Sequence, residues 1–247
     1  MPYQFVPEKE DYTDYASGRV FYNAPGHPAF PVRLVDEMFQ RALALRGSAP
    51  VHLYDPCCGA AYHLGVLGYL HRERIASLTA SDVDAAVLAV ASRNLNLLTP
   101  EGLAQRRGEI ESLAARFGKE SHVSALESVE RFTRQLGEHP SPLPTHLFQA
   151  DATQSDQIAA HLPVQPVDLV LSDVPYDQHS AWQLPDNLRA SPHSPLWHLL
   201  VALIPFLSQK SIVALAADKG QKIQHEAFRR VERFQVGKRQ IAFLQLE

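Results

Sequence analysis

The sequence predicts an α/β fold: a doubly wound, mostly parallel seven-stranded sheet with flanking helices, a helical insertion and a C-terminal antiparallel hairpin. Three observations support it. From residue 51, short apolar runs alternate with stretches whose apolar residues recur every three or four positions, the pattern of parallel strands joined by crossover helices. The alternation is interrupted over residues 99–144, far more chain than an ordinary connection in such a sheet needs. The last two apolar runs flank Gly237 closely enough to pair with each other. At 247 residues the chain lies near the upper size served by one hydrophobic core, so residues 1–247 are expected to form one domain.

Residues 1–50 read as an aromatic segment followed by a helix. Tyr3, Phe5, Tyr12, Tyr15, Phe21, Tyr22 and Phe30 predict irregular structure packed across a core, after which Pro31 leads into the helix. Leu34, Val35, Met38, Phe39, Ala42 and Leu45 share one face of that helix, and Gly47 stops it. Residues 51–54 read as the first strand and 55–59 as a turn. A helix follows through Tyr62, Leu64, Val66, Leu67 and Leu70. Residues 77–81 form the second predicted strand and 84–98 its helix, which Asp84 is suited to cap.

Within the insertion, Leu103, Ile110, Leu113, Ala114 and Phe117 fit one helix, and Val123, Leu126, Val129, Phe132 and Leu136 fit another, with Gly118 between them. Six basic and seven acidic residues over 101–140 favour a scaffold or lid over a nucleic-acid arm. Three more strands are expected at 146–149, 167–171 and 211–216. The helix between the last two, 196–207, should be bent or shortened by Pro205. Residues 230–236 and 240–246 make the hairpin, although 227–234 also reads as a helix.

Composition excludes several classes. No run approaches the roughly 18 apolar residues that cross a bilayer, and the N-terminus lacks the order of a signal peptide, so a cytoplasmic monomer without membrane contact is expected. The only cysteines, Cys57 and Cys58, are adjacent, which excludes a disulfide framework, and the 12 histidines show no metal-binding spacing. A net charge of −4 argues against a protein that coats nucleic acid. Residues 218–239 nevertheless hold seven basic against three acidic side chains, an excess that could meet phosphate, although charge alone favours a solvated face.

The turn at Asp55-Pro56-Cys57-Cys58-Gly59 stands where doubly wound sheets bind ligands, at a strand's carboxyl end and a helix N-terminus. Asp55 suits an ammonium group, and Gly59 allows close approach of the backbone. Asp82, 27 residues later, ends the second strand where an acid can accept both ribose hydroxyls, with Asp84 the alternative. Asp151 stands beyond the next strand, placed to meet an adenine amino group. Cys57, Val83 and Ala152 adjoin these acids and complete the expected cofactor contacts. A dinucleotide would need a Gly-x-Gly-x-x-Gly turn, whereas Tyr62 and His63 occupy its open backbone. The mononucleoside S-adenosylmethionine (SAM) therefore fits better. Cys57 and Cys58, in the cofactor turn, suit packing more than nucleophilic attack on a base.

The fourth strand ends in Asp173-Val174-Pro175-Tyr176 beside this site. A flipped nucleobase would stack on Tyr176 and donate its N–H groups to the Asp173 carboxylate and the Val174 carbonyl, while Pro175 stiffens the turn. The tetrapeptide resembles the Asp/Asn-Pro-Pro-Tyr/Phe motif of class I amino-methyltransferases, with Val174 replacing the first proline. Phe30-Pro31-Val32-Arg33-Leu34, Tyr54-Asp55-Pro56-Cys57-Cys58-Gly59, Ala80-Ser81-Asp82-Val83-Asp84, the insertion and Ser172 to Tyr176 together resemble the AviRa family of avilamycin-resistance methyltransferases. That resemblance implies a Rossmann-like class I methyltransferase using SAM to modify a guanine nitrogen of 23S ribosomal RNA, free or within the large ribosomal subunit. It assigns Asp55, Gly59, Asp82 and Asp151 to the cofactor and Asp173 to Tyr176 to catalysis. Ala60-Ala61 departs from the family's Ser-Gly. Methylation of adenine or of a protein amide nitrogen, and SAM or RNA binding without turnover, stay open as alternatives.

Overall fold

A computed structural model describes residues 3–139, 141–162, 166–175 and 182–247, with Asn187 as backbone only. Seven strands form its sheet: β1 (Val51–Asp55), β2 (Ile75–Asp82), β3 (Thr145–Gln149), β4 (Val167–Asp173), β5 (Leu207–Asp218), β6 (Phe228–Val236) and β7 (Arg239–Leu246). Their order is β3-β2-β1-β4-β5-β7-β6. The first five pair in parallel, and β7 lies antiparallel between β5 and β6. Winding reverses between β1 and β4, so their carboxyl ends flank the crevice where such sheets take ligands.

Side-chain alternation divides the core into two layers. In β5, Ile212, Ala214 and Ala216 face one layer, and Val213, Leu215 and Ala217 the other. The first layer is covered by α1 (Val32–Arg46), α2 (Tyr62–Leu70), α3 (Ala85–Asn96) and the insertion helices α4 (Pro100–Phe117) and α5 (Glu120–Gly137). The second is covered by the short α6 (Ser155–Ala159) and, beyond the four-residue α7 (Asp186–Arg189), by α8 (Pro195–Leu203). Helices α6 and α7 are too short to show a helical period and were not foreseen. Pro205 does end α8 early, within a single 3₁₀ turn at Ile204–Phe206. The helical alternative for 227–234 is not formed. Residues Phe228 to Val236 pair along β7, with a bulge between Arg230 and Glu232 that lets Glu232 reach Arg41 on α1.

The aromatic segment before α1 straps the insertion to the sheet. Phe21 is wholly buried, with its ring 5.9 Å from Phe132 of α5 and 5.3 Å from Tyr62 of α2. Arg106 of α4 donates to the Val20 carbonyl at 2.8 Å, and Asp14 accepts from both Ser128 and Arg131 of α5. These contacts favour the scaffold over the lid. On α1 the buried Glu37 carboxylate accepts from the backbone N–H groups of Gln4, Phe5 and Val6 at 2.6 to 2.9 Å, and from Arg41 at 2.6 Å. Burial opposes its ionisation, but these donors outweigh that cost and hold the carboxyl below the usual carboxylate range. Among the described residues no helix is long and apolar enough to cross a membrane.

Candidate active site

Where β1 ends, the chain must turn sharply to start α2, and two residues take the left-handed conformation: Gly59 at φ 50° and Ala61 at φ 50°. Glycine does this freely, but alanine carries a steric cost of roughly 1–2 kcal/mol. Here Ala61 is wholly buried, and its methyl packs in the core. The turn is pinned from β2. Cys58 N–H donates to the Ser81 carbonyl at 2.9 Å, and Gly59 N–H to Asp82 Oδ2 at 2.8 Å. The other oxygen of Asp82 accepts from Asp84 N–H at 3.0 Å, while Asp84 caps α3 through the Ala86 amide at 2.8 Å. A Cβ at position 59 would come within 3.2 Å of His27 Nδ1, so that ring would have to shift slightly on top of the strained φ.

In front of this turn lies a cavity of about 370 Å³. Cys57, Gly59, Asp82, Val83, Asp173, Val174 and Pro175 all line it. Asp151 and Ala152 line a small adjoining cleft with Cys57, Asp82, Val83 and Pro175. Asp55 differs. It is fully buried and lies on neither wall, with Oδ1 accepting the Cys57 amide at 3.0 Å and Oδ2 lying 2.7 Å from His63 Nε2. Tyr176 lies outside the described residues. Burial pushes both the Cys57 and Cys58 thiols up, with neighbouring Asp55 adding to the effect, so neither is poised as a nucleophile.

Burial also raises the carboxyl of Asp82, opposed by its two backbone N–H donors. Each oxygen holds one of these donors and keeps capacity for another, which suits a pair of hydroxyl groups. Asp173 is raised further. Burial lifts it to about 6, against the pull of Arg239 and His63 and with Asp55 adding to the rise. Arg239 Nε stands 3.7 Å from Asp173 Oδ1, and the guanidinium lies over the Phe30 ring at 5.4 Å. The expectation that the basic stretch meets phosphate is therefore revised at its last member. Arg239 is half-buried and turned inward, whereas Lys219, Lys222, Arg229, Arg230, Arg233 and Lys238 are exposed.

Sequence reasoning missed four residues of this site: His27, Phe30, His63 and Arg239. The histidines carried no motif of their own, and the motif that Phe30 opens pointed to no role in this site. For Arg239 a signal existed, since a hairpin hinged at Gly237 puts the first residue of the returning strand beside the end of β5. The front wall is held by Asn94, which exchanges hydrogen bonds with the Tyr22 backbone and donates to the Ala60 carbonyl at 2.9 Å.

Comparison with known proteins adds independent information. The family model described as rRNA methyltransferase AviRa matches residues 1–239. The chain is 40% identical over 238 residues to the 23S rRNA (guanine(2535)-N(1))-methyltransferase of Streptomyces viridochromogenes, covering 96% of this chain and 93% of that protein. A crystal structure of the rRNA methyltransferase AviRa from the same organism superposes with a TM-score of 0.87 at 38% identity, over 99% of this chain and 96% of the other. TrmN from Thermus thermophilus, 14% identical over 90% of this chain and 50% of its own, shares the fold at a TM-score of 0.54.

Proposed function

Since the chain belongs to the AviRa family of rRNA methyltransferases, we propose that it transfers a methyl group from SAM to N1 of a guanine in 23S ribosomal RNA. The observation that carries this reading is Asp173, a half-buried carboxyl at the end of β4 that faces Arg239, shares a cavity with Asp82 and is raised to about 6. A neutral guanine bears a proton on N1 and has no free lone pair there. Methylation at N1 thus needs a base close to neutrality, and Asp173 meets that need in its ionised form. The N1–H bond breaks toward the carboxylate as the nitrogen becomes nucleophilic. In this reading the Val174 carbonyl accepts from the neighbouring amino group, and the stacking face is the role the family motif gives Tyr176.

The residues present fit SAM. Asp82 suits the ribose hydroxyls, Val83, Asp151 and Ala152 suit the adenine, and Gly59 permits close approach of the methionyl portion beside Cys57. Asp55 then supports the turn through Cys57 and His63. Bound there, SAM supplies an electrophilic methyl group on a sulfonium sulfur. The protein's own contribution is alignment, removal of the N1 proton and exclusion of water.

The test is incubation with tritiated SAM and either naked 23S rRNA or large ribosomal subunits, followed by mass-spectrometric mapping of the modified base. N1-methylguanine at one position is expected. Label in N2-methylguanine, adenine or protein, or no transfer to either substrate, would overturn the proposal.

A further inference from the structure

A second cavity, of about 570 Å³, adjoins the small cleft that holds Asp151. Trp182 lies on the walls of both. The cavity is tied to the catalytic strand as well. Gln221, on its wall, donates to the Pro175 carbonyl at 3.1 Å.

Two residues of its wall, His193 and Trp197, are stacked rings, and His225 packs on Trp197. His193 lies on Trp197 with centroids 3.9 Å apart and planes at 14°, and His225 lies 4.8 Å from Trp197 at 37°. The stack is fixed in place, since Ser194 caps α8 through the Trp197 amide and Glu226 accepts from the Trp197 indole at 3.0 Å. Glu226 also lies 3.7 Å from His225, so its negative charge serves the stack. His193 is exposed, as is Lys222 on the same cavity. Lys219 and Lys238 are also exposed, and their backbones are joined by a 3.0 Å hydrogen bond, which brings three cations to this end of the sheet.

We propose that this cavity is a subsite for the nucleotide next to the target guanine, its base stacking on His193 and its phosphate meeting Lys222. This rests on the reading of the first cavity as the guanine site. Drawing a base out of its stack deprives its neighbour of a stacking partner, and a fixed aromatic face offers a replacement to any base. Single-stranded RNA is recognised by such splayed bases, with nearby cations engaging the backbone.

The experiment uses the full chain, His193→Ala, Lys222→Ala, and an RNA fragment containing the guanine mapped above. Parallel RNA fragments carry an abasic residue on either side of that guanine. We expect the KM for RNA to rise roughly tenfold in each variant, as removal of one stacking face or one phosphate partner implies. Both kcat and calorimetric SAM affinity should be unchanged. One abasic substitution should raise the wild-type KM by a similar factor and add nothing further in His193→Ala. An active wild-type enzyme with unaltered KM in both variants, or indifferent to both abasic fragments, overturns the subsite alone. Failure of the wild type to methylate any RNA removes the guanine site and the subsite together.

Discussion

At the scale of single residues, the chemistry depends on Asp173 and the charge beside it. Asp173→Asn should reduce methyl transfer by about 10²- to 10⁴-fold, the usual contribution of a positioned base. Calorimetric SAM binding should stay unchanged, whereas Asp82→Ala should mainly weaken it. The opposite pattern would reverse the two assignments. Because Asp173 is raised to about 6, single-turnover rates should climb with pH below that value and level off above it. Arg239 pulls the carboxyl down, so Arg239→Ala should move the rising limb to higher pH, and Arg239→Lys should hold it near its original position. A limb that stays fixed in Arg239→Ala would show that the cation does not act on the base.

At the scale of elements, the anchors of the aromatic segment and the insertion make the largest stability predictions. Glu37→Ala leaves three backbone donors and Arg41 without their carboxylate and should cost about 3–5 kcal/mol in denaturant unfolding. Its depressed carboxyl means that this stabilisation is present above the ordinary carboxylate range and is lost as pH falls through the lowered value. Phe132→Ala, which removes a ring packed on Tyr15, Phe21 and Tyr69, should cost about 3–5 kcal/mol. Elements with a full period were legible in the sequence. The two insertion helices, the β1-turn-α2 unit and the hairpin all lie where apolar spacing predicts them. The acids at strand ends were legible too, because strand direction alone brings Asp82, Asp151 and Asp173 to one edge. The sealing of Asp55 was not, since it depends on His63, a side chain that meets it only once α2 packs. Ala61 stands where the resembled family has glycine, so its left-handed turn was legible, but the burial of its methyl was not.

At the scale of the whole molecule, a net charge of −4 coexists with a basic rim at the carboxyl end of the sheet. Exposed Lys219, Lys222 and Lys238 should make RNA affinity fall as salt rises. Replacing any one of them by alanine should flatten the plot of log affinity against log salt by about 0.7–0.9 for each phosphate left unneutralised, measured by filter binding. An unchanged slope in all three variants would exclude this rim as the RNA-facing surface. The strand order has a consequence for how the enzyme comes into being. β7 is later in the chain than both of its neighbours, yet it lies between them, and it carries Arg239 to Asp173. Until β7 has left the ribosome, β6 has no strand to pair with and the base lacks its cation. Closing the sheet over β6 and delivering the cation to Asp173 therefore depend on the same strand.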